Sequence, residues 1–153
     1  MGLSGDLLPS TILFIEDDVP LRTALCTLLR GWAGPAMHCI DVDSIPEALA
    51  ILPALQVDLI ILDYRIAGHT GTDTVPRLRQ ACPPEQPCPP IDVISGDICD
   101  GEGLAAIQAG ADSYLQKGDH FTTRFLSMIQ QSWARRQHDW AIWQALRQLE
   151  VGT

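Results

Sequence analysis

Asp58-Leu59-Ile60-Ile61-Leu62-Asp63 sets four large apolar residues between two carboxylates. A continuous apolar run this short reads as a strand buried on both faces, as in a parallel sheet covered by helices. Asp63 then stands at the C-terminal end of that strand. In open α/β sheets the ligand crevice lies outside that end, which makes Asp63 a site candidate. The plainer alternative is that Asp63 simply begins the next turn, where Asp is common.

The flanking sequence favours the first reading. Upstream, Thr11-Ile12-Leu13-Phe14-Ile15 is a second short apolar run, and it ends in Glu16-Asp17-Asp18. Pro20 suits the first turn of a following helix, whose apolar side is Leu21, Leu25, Leu28 and Leu29 and which Gly31 and Gly34 close. A weaker strand spans 36–42, and Ser44-x-x-Glu47 reads as a capping box for a helix that Pro53 stops. Downstream of Asp63, a glycine-containing loop leads to a helix over about 72–81. Residues 82–90, Cys-Pro-Pro-Glu-Gln-Pro-Cys-Pro-Pro, exclude helix and central strand and read as a stiff surface connection. Ile91 to Ser95 is the fourth strand, a helix runs to Ala109, and Asp112 to Gln116 is the fifth strand, followed by Lys117. From Asp119 the pattern is helical almost to the end. Five β-α alternations predict an α/β, doubly wound parallel sheet with helices on both faces.

Several strand ends carry chemistry: Glu16 and Asp17 on the first, Asp63 on the third, Ser95 on the fourth, Lys117 on the fifth. In a parallel sheet these ends share one edge. Two carboxylates about 5 Å apart repel by roughly 3 kcal/mol at an effective dielectric near 20. A hard divalent cation relieves that, and Mg²⁺ takes few carboxylates plus waters and phosphate oxygens. With a lysine and a hydroxyl added, the set can attack and hold a phosphoryl group.

Four motifs then occur in order: Ile12-Leu13-Phe14-Ile15-Glu16-Asp17-Asp18 with Arg22, Leu62-Asp63-Tyr64-Arg65 with Gly71, Val93-Ile94-Ser95-Gly96, and Tyr114-Leu115-Gln116-Lys117. Together they resemble the receiver domain of two-component response regulators, over about residues 11–131. The resemblance implies a flavodoxin-like five-stranded sheet of order 2-1-3-4-5, an order the family shares with other doubly wound proteins. It implies that Asp63 is the phosphoacceptor for a histidine kinase or phosphotransfer protein. Glu16, Asp17, Asp63 and the backbone carbonyl of Arg65 would hold Mg²⁺. Ser95 and Lys117 would bind the phosphoryl group, and Tyr114 would be the switch aromatic. The output would be a rearranged face of helix 4, strand 5 and helix 5 toward a downstream protein, and the chain itself would be a signalling switch rather than an enzyme. Asp18 is expected to cap the first helix, and Arg22 to lie at the surface.

The sequence departs from the family twice. Gly118 follows Lys117 where proline is usual, which predicts a trans peptide there. Ala67 replaces another usual proline and should loosen that loop. Arg65 and Asp97 sit at the two positions that tune access of hydrolytic water in the family, and an ion pair between them could shield an acyl phosphate.

The remaining features bound the function. The lead-in is residues 1–10, the receiver 11–131, and a helical extension 132–153. The extension carries Trp133, Trp140 and Trp143 with Ile142, Leu146 and Leu149. Arg136 interrupts its apolar series, so no strict heptad forms. Tryptophans beyond reach of the core would be exposed, which favours a homodimer or partner helix over a tail folded back on the domain. The net charge of −9 argues against nucleic acid or an anionic membrane as a direct partner. No apolar run is long enough to span a bilayer and no signal peptide opens the chain, so the expected location is cytoplasmic. The five cysteines lack zinc spacing, and most are expected as small buried residues in a reducing compartment; Cys82 and Cys88 flank the proline loop, where a bridge is an open alternative but free thiols are the expectation. A haloacid-dehalogenase-type phosphatase would need a second Asp after Asp63. A nucleotide or flavin binder would need a glycine-rich phosphate loop. An adaptor that is never phosphorylated would not need the full acid, hydroxyl and lysine set.

Overall fold

The computed structural model describes residues 9–96 and 101–151, the side chain of Val151 excepted. Five strands form one parallel sheet: β1 Thr11–Ile15, β2 His38–Val42, β3 Leu59–Asp63, β4 Ile91–Ser95 and β5 Ser113–Gln116, in the order β2-β1-β3-β4-β5. Five helices connect and follow them: α1 Val19–Ala33, α2 Ile45–Ile51, α3 Gly71–Ala81, α4 Glu102–Gln108 and α5 Phe121–Val151. The parallel sheet expected from the alternation is observed, and its order is the one the receiver resemblance implies.

The pleat divides the core in two. Leu13, Ile15, Ile60, Leu62, Ile91 and Val93 face the cluster shared with α2, α3 and α4. Their neighbours Ile12, Phe14, Leu59, Ile61 and Ile94 face α1 and α5, meeting Leu25, Leu29, Phe125 and Ile129. All eleven of these strand residues are 1% exposed or less, which is why both faces read as unbroken apolar runs. Local signals set the helix starts. Asp18 caps α1 by accepting from the Leu21 N–H at 3.1 Å, and Ser44 caps α2 by accepting from the Glu47 N–H at 3.4 Å.

Several expectations need correction. Arg22 is not a plain surface residue. It is half-buried, its Nη1 donates to the Glu16 carbonyl at 2.8 Å, and its Nε lies 2.9 Å from Asp41. Without proline, the loop after Asp63 does not loosen; it closes as a hairpin pairing Arg65–Ile66 with His69–Thr70. Ala67 (φ 50°) and Gly68 (φ 83°) form its two-residue turn, both left-handed, as hairpin twist favours. Cys82 and Cys88 are joined as a disulfide, with Cα atoms 5.6 Å apart. The proline loop folds back far enough to bring them together, which spacing alone did not indicate. No cis peptide occurs among the described residues, so Lys117–Gly118 is trans as expected.

The C-terminal extension differs most from expectation. α5 runs unbroken through residue 131. Ser132 donates to Asp92 Oδ2 at 2.6 Å. Arg136, read as an interruption, is 0% exposed. Its guanidinium donates to the carbonyls of Val57 (3.0 Å) and Pro87 and lies 4.0 Å from Asp58. It also stacks over Trp140 at 5.1 Å. Trp133, Trp140 and Trp143 are half-buried rather than exposed. The outer side of the helix end is different: Ile142, Leu146 and Leu149 are exposed. None of the described helices is long and apolar enough to cross a membrane.

Candidate functional site

The C-terminal ends of β1, β3, β4 and β5 deliver the candidate residues to one rim. Glu16 follows β1 directly. Its backbone is held on both sides, the N–H by Val42 and the carbonyl by Arg22. Asp63 is the last residue of β3. Ser95 ends β4, and Lys117 follows β5, its N–H donating to the Ser95 carbonyl at 2.7 Å. Strand register thus fixes where each side chain starts.

Glu16, Asp17 and Asp63 each offer a carboxylate oxygen, and all three oxygens lie within 4.8 Å of one another. Glu16 is buried, Asp63 is half-buried and Asp17 is exposed. Lys117 reaches into the group, its Nζ 3.4 Å from Glu16 Oε2 and 3.9 Å from Asp63 Oδ2. One ammonium therefore faces two carboxylates. Burial, then the adjoining Asp63 carboxyl, push the Glu16 carboxyl up to about 7, although the Asp18 N–H and Lys117 oppose this. The excess negative charge is only partly neutralised within the chain. Such an all-oxygen donor set, open on the Asp17 side, suits a small hard cation.

Asp63, Arg65, Ser95, Gly96 and Lys117 line a cavity of about 180 Å³. Ser95 is 2% exposed, and its hydroxyl donates to Glu102 Oε2 at 3.0 Å. Arg65 Nη2 donates to Glu102 Oε1 at 2.5 Å. Tyr114, half-buried on β5, packs its ring on Gly103 of α4, where a Cβ would come within 2.7 Å of it. Asp97 lies outside the described residues, and its pairing with Arg65 with it.

The fold thus brings together Glu16, Asp17, Asp63, Ser95, Lys117 and Arg65. Tyr114 stands one layer away, against α4. Sequence reading missed Glu102. It is an acidic residue in a helix first turn, where acids are common. Its burial, 7% exposed, follows only from how α4 folds over the end of β4.

Known proteins bear on this arrangement. The family model for the response regulator receiver domain matches residues 12–126. The KDP operon transcriptional regulatory protein KdpE of Escherichia coli K12 is 30% identical over 108 residues, which are 71% of this chain and 44% of that protein. The chain spans less than half the length of several such curated relatives. Among solved structures, a putative response regulator from Chloroflexus aurantiacus is 26% identical at a TM-score of 0.70, covering 82% of this chain and 98% of that one. The receiver domain of the sensor histidine kinase PA1611 from Pseudomonas aeruginosa, with magnesium coordinated in its active-site cleft, superposes at a TM-score of 0.66. It is 20% identical and covers 82% of this chain and 98% of its own, which speaks to fold alone. The sheet order, the acidic rim and a family match across three quarters of the sequence agree: this chain belongs to the response regulator receiver domain family of two-component systems.

Proposed function

We propose that the chain is a phosphorylation-dependent switch in which Asp63 accepts a phosphoryl group from a histidine kinase or phosphotransfer protein. The observation that carries this is Lys117 Nζ, set 3.9 Å from Asp63 Oδ2 and 3.4 Å from Glu16 Oε2. In the transfer, an Asp63 oxygen forms a bond to phosphorus as the phosphorus–nitrogen bond of a phosphohistidine breaks, and the departing imidazole keeps the bonding pair and takes up a proton. Lys117 balances charge on the transferred group, and Ser95 offers a hydroxyl to one of its oxygens.

Glu16, Asp17, Asp63 and the Arg65 carbonyl would hold Mg²⁺. Bound there, the ion would supply the positive charge that lets a phosphoryl group approach three carboxylates. Tyr114, packed on α4, would carry the change to the face of α4, β5 and α5. Arg65 and Asp97 would set how long the acyl phosphate lasts; an unchanged dephosphorylation rate in Arg65→Ala and Asp97→Ala would count against that.

The test is intact mass after incubation with Mg²⁺ and acetyl phosphate. A gain of one phosphoryl group, absent in Asp63→Asn, is the expected result. No gain in the wild-type chain refutes the switch and favours an adaptor working by contact alone.

A second proposal concerns assembly. Ile142, Leu146 and Leu149 are exposed at spacings of four and three on one side of α5, the spacing of a short helix–helix seam. We infer a homodimer through this helix. Light scattering at high micromolar concentration should give twice the chain mass, and a monomer would overturn it.

A further inference from the structure

Glu102 is the buried acid of the site that the reading above leaves without a role. It opens α4, it is 7% exposed, and it holds two donors at once. Ser95 gives its hydroxyl to Oε2 at 3.0 Å and Arg65 gives Nη2 to Oε1 at 2.5 Å. Both donors also line the cavity beside Asp63. A serine hydroxyl has one proton to donate. It cannot serve Glu102 and a phosphoryl oxygen on Asp63 together. A phosphoryl group would also bring about two negative charges toward the Glu102 carboxylate.

We propose that Glu102 is the resting latch of the site: its carboxylate holds Ser95 and Arg65 until a phosphoryl group on Asp63 takes the Ser95 hydroxyl from it. This rests on Asp63 being the phosphoacceptor. Glu102 is a positioning residue, acting on the phosphoryl group through Ser95 and Arg65.

The latch has a built-in readout. Glu102 is followed by Gly103, and Gly103 is the residue on which the Tyr114 ring lies. The same short helix exposes Leu104 and Ile107. Losing the Ser95 bond frees the first turn of α4 at the place where Tyr114 touches it. The change at the rim is thereby passed to the outer surface of α4 and β5 by two adjacent residues.

The test uses beryllofluoride with Mg²⁺ as the phosphoryl mimic, titrated calorimetrically into the full chain. Glu102→Gln keeps the shape and removes the charge, so the resting grip weakens. A charged acceptor holds a donor about twice as strongly as a neutral one, so the variant should bind beryllofluoride about tenfold more tightly than the wild type. If Glu102 merely stiffened α4, the variant would melt lower and bind no better, and that result overturns the latch. Glu102→Gln and Ser95→Ala should be coupled, the gain shrinking once the hydroxyl is gone; independent effects overturn it. Should the variant fail to fold, the wild type decides. In its structure with bound beryllofluoride, Ser95 Oγ should contact a fluoride and have left Glu102, and an unmoved Ser95–Glu102 bond refutes the proposal. A wild-type chain that binds no beryllofluoride and gains no mass from acetyl phosphate overturns the phosphoacceptor reading and the latch with it. A chain that gains mass while Glu102→Gln binds like wild type overturns the latch alone.

Discussion

The carboxylate cluster around Asp63 and the acids at the opposite end of the sheet are partnered differently. At the end holding Asp63, three carboxylates crowd together and share a single lysine, with one backbone N–H each for Glu16 and Asp63. At the other end, each acid has donors of its own. Asp58 accepts from the Ser10 hydroxyl and the Thr11 N–H and faces Arg136. Asp92 accepts from Ser113 and Ser132. Asp112 accepts from Arg79 at 2.6 Å and from the Ile91 N–H at 2.8 Å. Satisfied acids hold a structure together, whereas crowded ones store charge that a ligand can relieve. The distinction lies in the partners, since the sequence offers the same residue type at both ends.

Breaking the satisfied end should have the largest effect. Arg136→Ala leaves Asp58 without its ion partner and the Val57 and Pro87 carbonyls without a donor. Removing one partner of a buried pair typically costs about 3–5 kcal/mol, so urea unfolding should move to a much lower midpoint. The end of α5 should also lose amide protection, and a midpoint within error of wild type would show that the anchor is decorative.

Asp92 sharpens the comparison through pH. Its two donors are neutral hydroxyls, and burial still raises its carboxyl to about 6. The unfolded value is about 3.9. Between those values the native chain keeps a proton that the unfolded chain has lost. This contribution to stability is complete below about pH 4, falls as pH rises to about 6, and stays lost above it. Two pH units correspond to at most about 3 kcal/mol. Asp92→Asn should remove this slope. Denaturant midpoints measured from pH 4 to 7 in both proteins check it, and parallel curves would refute it.

The crowded end should respond with the opposite sign. Without divalent cations, Asp63→Asn removes one repelling charge and gives up a 3.9 Å contact with Lys117, for a net gain of about 1 kcal/mol. Asp112→Asn, at the satisfied end, should lose about 2 kcal/mol with its charged hydrogen bond to Arg79. Adding Mg²⁺ should raise the melting temperature of the wild type more than that of Asp63→Asn. Equal signs for the two amide substitutions would dissolve the comparison. The smallest effect belongs to the hairpin beside Asp63. Ala67 holds φ 50°, a region Asn tolerates better. Ala67→Asn should stabilise by about 0.5 kcal/mol, read as a small rise in melting temperature.

How much of this could be read beforehand follows the same division. The strands and the rim residues were legible, because buried parallel strands write local apolar runs and the rim residues sit at their ends; the strand order came from the family resemblance, since no apolar run records which strand lies beside which. The satisfied end was not legible. Arg136 meets Val57 across 79 residues and Pro87 across 49, and no local pattern records that. The same holds for Ser132 with Asp92 and for Glu102 with Ser95. The proline segment looked like a spacer, yet its Pro87 and Pro89 carbonyls accept from Arg136 and Arg79. A helix pattern also says nothing about which of its residues will turn to a loop. That is how an arginine in an apolar series was read as a break rather than an anchor.

The unbroken α5 has a mechanical consequence. From Phe121 to Val151 it is a rod of 31 residues, about 46 Å long at 1.5 Å per residue. Ser132 and Arg136 fasten it near its middle to the sheet. The arm beyond Arg136 extends about 22 Å, so a tilt of about 10° at that fulcrum would sweep its tip through about 4 Å. A shift too small to notice beside Asp63 would thus arrive at the far end as a displacement large enough to part or join two side chains.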